Sequence, residues 1–160
     1  MNQQRPRRAE SGAQRKTFGD FVCIVCHNFV SAEATLSGVQ NRNHCPYCLA
    51  SRHLDLYAAG DRLSACKASM RPIALTIKKT NKKYSGGQPG EMMLVHLCTD
   101  CGHVSINRIA ADDDLESVFE IFEGSLRLEL QTKITLSHSG VSVLADGQQR
   151  LVREQLLGRA

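Results

Sequence analysis

An α+β domain built from antiparallel hairpins and short helices is the fold class this sequence predicts. Three observations predict it. Short β-rich runs follow one another at 18–30, 72–79, 92–98 and 104–109, each bounded by turn residues. A stretch with helical apolar spacing comes next, at 112–123. Pairs of Cys at C-x-x-C spacing sit at or beside the turns. The 160 residues suffice for one domain with tails. Only 42% are hydrophobic and 5% aromatic, with no Trp, so apolar burial alone makes a thin core.

The elements follow in order. Residues 1–16 are polar and basic and read as a disordered arm. Residues 18–30 read as a strand entering a turn, and 31–43 as a polar loop. Residues 49–58 carry Leu49, Leu54, Leu56 and Tyr57 at helical spacing, with Gly60 to end the helix. The segment 92–98 turns through Cys98-Thr-Asp-Cys101 into 104–109, a hairpin to which 72–79 adds a third strand. The loop before it, 80–91, holds Gly86, Gly87 and Pro89. Asp112 or Asp113 is the expected N-cap of the helix that follows, and Gly124 its end. Leu126, Leu128, Leu130, Ile134 and Leu136 occupy alternate positions, which favours a strand, although the local composition suits a helix. A short strand at 141–144 and a closing helix at 146–158 complete a division into an arm (1–16), a domain (17–124) and a strand/helix extension packed on it (125–160).

The net charge of +4 is unevenly placed. Arg5, Arg7, Arg8, Arg15 and Lys16 against Glu10 supply all of it, leaving 17–160 neutral. Within that neutral part, 42–83 hold nine basic side chains against Asp55 and Asp61, while 111–130 hold seven acids against Arg127. No apolar run approaches the ~18–20 residues of a membrane span. The N-terminus lacks the apolar stretch of a secretion signal. The expectation is a soluble cytoplasmic protein with no membrane partner.

Seven Cys fit a disulfide framework poorly. Cys23-x-x-Cys26 and Cys45-x-x-Cys48 are separated by 18 residues, the spacing of a four-thiolate zinc site. Two thiolates three residues apart in a tight turn converge on one ion, and two such turns close a tetrahedron. Cys98 and Cys101 form a third pair, and Cys66 is left over. Three thiolates need a fourth ligand. His53 is the first choice, with His44 and His96 as competitors and His103 behind them. The sequence therefore predicts about two zinc ions in a zinc-ribbon or zinc-knuckle arrangement. Closed four-ligand sites are structural, because catalytic zinc keeps a position for water.

Residues Arg42-Asn43-His44-Cys45-Pro46 spell RNHCP, and with CPYCLASRHLD, GDRLSACKASMRPIAL, CTDCGH and NRIAADDD the chain resembles the RNHCP-domain family over roughly 18–114. It departs from the family pattern at His27, Leu54 and Ala59, where Gly, Val and Pro are usual. The resemblance implies a zinc-binding domain of small bacterial proteins and assigns no activity. It adds interest to Arg42, Asn43, His44, His53, Asp61, Arg62, Asn107, Arg108 and the acids at 112–114, which a bare zinc ribbon does not need.

Functionally, the basic stretch points to an RNA- or ribosome-associated module. Arg42, Lys78, Lys79, Lys82 and Lys83 are the candidate phosphate contacts, with Tyr47 and Tyr84 as stacking platforms. Arg62 and Arg108 are expected to pair with Asp61, Asp112 or Asp113 and bridge the modules. A protein-interaction adaptor is the alternative. A metal-dependent hydrolase or nuclease requires His44, Asp113 and Arg62 in one cleft. No P-loop, G-x-S-x-G or H-E-x-x-H motif is present, and no small-molecule substrate is identified.

Overall fold

The computed structural model describes residues 19–79 and 90–158. Two short strands, β1 (Phe21–Val22) and β2 (Phe29–Val30), form an antiparallel hairpin. A single helical turn follows, α1 (Ala34–Ser37). A four-stranded antiparallel sheet in the order β3-β4-β5-β6 comprises Ser51–Arg52, Ser69–Lys78, Glu91–Cys98 and Val104–Arg108. Helices α2 (Leu115–Ser125) and α3 (Leu130–His138), a 3-10 turn (Asp146–Gln148) and α4 (Gln149–Leu157) close the chain. The mixed architecture is the α+β class, with two groups of Cys and His held in it.

Strand alternation explains the layering. Leu75 on β4 and Met92 and Leu94 on β5 turn to one face, where Val118 and Phe122 of α2 and Val152 of α4 meet them. Ala74 and Val95 turn to the other face and pack on Leu136 of α3. Covered on both faces, β5 reads as a continuous apolar run, Met92 to Leu97, interrupted only by His96. The register of β4 on β5 shifts between Pro72 and Ala74. Pro72 has no N–H to give the ladder, and a bulge is where a strand tolerates that. The C-terminal segment is tied to the sheet: Thr76 Oγ1 donates to the Ser142 carbonyl at 2.6 Å and the Leu144 N–H to the Leu75 carbonyl at 2.9 Å.

Three local expectations are corrected. Residues 49–58 are not a helix. They hold β3 and then a tight loop, in which the Asp61 carboxylate accepts the backbone N–H groups of Leu56, Tyr57, Ala58 and Leu63 at 2.8–3.0 Å. Asp55 does the same for Gly60 and Arg62. Short acidic side chains outcompete the helical ladder for those donors. The alternating leucines at 126–136 lead into helix α3, not a strand. Only Leu136 of that helix is buried, so the apolar period reports no sheet face. The N-cap of α2 is Asp114, which accepts from Ser117 N–H, and Gly124 lies inside the helix. Asp112 and Asp113 are engaged elsewhere. Residue 27, where the family usually has Gly, has φ of 59° here with His in place.

The proposed arm at 1–16 and the loop residues Lys82, Lys83 and Tyr84 lie outside the described residues. No helix among the described residues is long and apolar enough to cross a membrane.

Candidate metal centres and the motif between them

The β1–β2 hairpin places Cys23 and Cys26 in its turn, closed by Cys23 N–H to Asn28 carbonyl and His27 N–H to Cys23 carbonyl. A second turn at Cys45–Cys48 is closed by Leu49 N–H on the Cys45 carbonyl at 2.9 Å. Leu49 takes φ of 57° to do so. The two turns face each other: Cys23 Sγ is 3.6 Å from Cys48 Sγ, and Cys26 Sγ 3.5 Å from Cys45 Sγ. Four sulfurs around one ion at about 2.3 Å stand about 3.8 Å apart along the tetrahedral edges. The observed spacings approach that edge, so the donor set fits zinc. Val30 and Phe21 pack beside it.

Charge makes the same demand. The Asn28 backbone N–H and neighbouring thiol hydrogen bonds bring Cys26 down to about 6, whereas burial pushes Cys45 and Cys48 up. Four adjacent thiols cannot all ionise in the absence of a cation. A divalent ion removes the conflict, and soft thiolates select zinc among the common ones.

The second group, His53, Cys66, Cys98 and Cys101, is assembled by the sheet. Cys98 ends β5, Cys101 lies in the β5–β6 turn, and His53 and Cys66 lie on the strap from β3 to β4. All four donor atoms lie within 4.8 Å of one another. Cys66 Sγ is 3.7 Å from Cys98 Sγ, and Cys101 Sγ 3.3 Å from His53 Nδ1. The His53 ring stacks on His103 at 4.5 Å between centroids. Burial, then His103, push its pKa below the ordinary value, which keeps a neutral, ligand-ready ring at pH 7. The fold thus brings Cys23, Cys26, Cys45 and Cys48 together, and His53 with the other three Cys. His44 and His96 stay away from both groups.

Every residue of Arg42–Pro46 has a separate task. Arg42 is buried and donates to the His44 carbonyl, to Asp112 Oδ2 at 2.7 Å and to Asp113 Oδ1 at 3.3 Å. Asn43 Nδ2 donates to Asn107 Oδ1 at 2.8 Å. His44 Nε2 donates to Asp113 at 2.8 Å. Cys45 belongs to the first metal group, and the Pro46 carbonyl accepts Asp114 N–H at 2.9 Å. Asp113 also accepts Ala110 N–H at 2.8 Å. The motif clamps the first metal centre to the N-terminus of α2.

This changes the roles read from sequence. Arg42 faces inward, with its side chain fully buried against two aspartates. Arg62 approaches Asp55, and Arg108 pairs with Glu91, so the bridge to the acidic segment is made by Arg42. His44 and Asp113 do meet, without Arg62. Lys78 and Lys79 are exposed and have no ion-pair partner among the described residues. Asp112 and Asp113 as partners of Arg42 went unread; the only available signal was that RNHCP and NRIAADDD occur in one chain.

A family model described as RNHCP domain matches residues 18–119. The comparisons with curated proteins and with solved structures give no match.

Proposed function

The chain belongs to the RNHCP domain family, and from that premise we propose a module with two structural zinc ions that binds single-stranded RNA. The observation that carries the RNA part is Lys78 and Lys79, exposed and without an ion-pair partner among the described residues, which line a cleft of about 960 Å³ whose carboxylates are already committed. In that cleft Asp55 holds backbone N–H groups, and Glu91 pairs with Arg108 at 2.8 Å. Unneutralised lysines at a concave surface attract phosphate.

Two measurements test it. Metal analysis of the purified chain is expected to give two zinc ions. RNA affinity is expected to fall steeply with salt, with Lys78→Gln lowering the log–log slope by about one. A flat salt response sinks the RNA reading; a single zinc sinks the second centre.

A protein-binding role has one observation in its favour. Val22, Val25 and Phe29 of the first hairpin are about half or more exposed, at 58, 49 and 62%. Co-purification of a partner that survives nuclease and is lost in Phe29→Ser would favour that role.

A further inference from the structure

Two adjoining clefts, of about 960 and about 340 Å³, share Asn43, Lys78 and Asn107 in their walls. Their volumes lie in or near the ~300–1,000 Å³ range of ligand sites. The larger one has a hydrogen-bonding edge whose polarity is locked from the interior. The Leu49 carbonyl can only accept, so His96 Nε2, 2.7 Å away, carries the proton. Nδ1 of the same neutral, fully buried ring must then accept. Asn107 Nδ2 stands 2.9 Å from it and donates. Asn107 Oδ1 is left to accept from Asn43 Nδ2 at 2.8 Å. Neither carboxamide can flip without breaking the chain. Asn43 therefore keeps Oδ1 as an acceptor of fixed position, and each carboxamide keeps one N–H.

His44 lines the larger cleft as well, and its buried Nδ1 has no hydrogen-bond partner among the described residues.

On the rim of the smaller cleft stands Tyr57, 86% exposed. Its loop is rigid rather than loose, because the Asp61 carboxylate grips four of the loop's backbone N–H groups. A large aromatic ring held bare on a braced loop is a stacking platform without an occupant. Lys78 serves both clefts.

We infer that these clefts seat one nucleotide of single-stranded RNA, its base stacked on Tyr57 and read at its edge by Asn43 and Asn107, its phosphate on Lys78. The three groups match what such a unit offers: a π-face, a donor–acceptor edge and an anion. The inference rests on the RNA reading above and assigns it a position. Tyr57 thereby takes the place expected for Tyr47, which lies at the first metal turn outside both clefts.

The full-length, zinc-loaded chain is titrated with labelled homo-oligoribonucleotides of each base. Tyr57→Ala is expected to weaken binding about tenfold, the order of one lost base stack, with an unchanged salt slope. Tyr47→Ala is expected to bind as wild type. Asn43→Ser is expected to shrink the differences among the four bases, at unchanged zinc content. If RNA binds with steep salt dependence but Tyr57→Ala is as tight as wild type, the cleft assignment is overturned and the RNA reading stands. Should wild type show no salt-dependent RNA binding, the RNA reading fails, and nucleoside monophosphates decide the cleft. Saturating shifts of the Asn43 and Asn107 side-chain NH₂ resonances then support the site; unmoved resonances overturn it. That readout uses wild type, so it holds even where Asn43→Ser does not fold.

Discussion

The two metal centres are built by opposite strategies. The first draws its four Cys from two turns within Cys23–Cys48, and two of the sulfur carriers are buried. It substitutes for a core in a region with only a two-stranded hairpin. The second draws His53, Cys66, Cys98 and Cys101 from three places the sheet brings together, and Cys101 is exposed. It fastens loops onto strands that already pack well. A metal ion held at each would therefore organise the first region and only trim the second.

The largest expected effect tests that asymmetry directly. Cys45→Ser removes a fully buried ligand and is expected to lose one zinc and several kcal/mol, up to on the order of 10, of the stability of residues 19–50. Cys101→Ser is expected to cost much less, because water reaches its position. Zinc content and urea midpoints of both variants check this; equal losses would break the comparison.

Next comes the clamp on the first centre. Asp113→Asn leaves Arg42 buried with a weakened counter-charge and is expected to cost about 3–5 kcal/mol. The second zinc should stay bound, which metal analysis of the variant reads. Loss of both ions would mean that the centres are coupled.

Acid sharpens the comparison through His96, which bonds the Leu49 carbonyl next to Cys48 and shares strand β5 with Cys98. Burial, then His44, push its pKa down to about 3, below the ordinary 6.5. The unfolded chain takes up a proton that the folded chain refuses. The stability contribution is whole above pH 6.5 and declines from there towards pH 3, by up to about 1.4 kcal/mol per pH unit. Denaturant midpoints at pH 7.5 and 5.5 in excess zinc are expected to show the fall; equal midpoints would remove His96 from the account.

The smallest effect is at Asp114, the N-cap of α2. Asp114→Ala is expected to cost about 1 kcal/mol with both zinc ions retained. Thermal unfolding reads the cost, and a zinc loss would show that the cap serves the clamp.

Much of this was legible beforehand. Cys pairs announce themselves by spacing, because tight turns impose it, so Cys23, Cys26, Cys45 and Cys48 were readable as one group. Cys66 was legible only as the thiol left over, and His53 only as the first of several candidates, because no spacing rule ties either to Cys98 and Cys101. Strands 92–98 and 104–109 were readable because turn residues bound them. The loop at 55–63 was not. Leu49, Leu54, Leu56 and Tyr57 carry a helical period, and nothing in that period reveals that Asp55 and Asp61 capture the backbone donors. Leu126 to Leu136 misled in the reverse sense, since their alternation runs from the turn after α2 into helix α3, of which only Leu136 is buried. Arg42 looked like a phosphate ligand because its counter-charges are some seventy residues away in the chain and adjacent only in space.

That separation has a consequence in time. Synthesised from its N-terminus, the chain completes the first Cys group at residue 48, the second at 101, and the aspartates for Arg42 only at 112 and 113. The first knuckle can take its ion while Arg42 is still in water. Desolvation of that guanidinium waits for the last part of the domain to arrive. A stalled or truncated chain ending before Asp112 would hold a metal-loaded knuckle with its arginine outward, a species that protease sensitivity of nascent chains can distinguish from the finished domain.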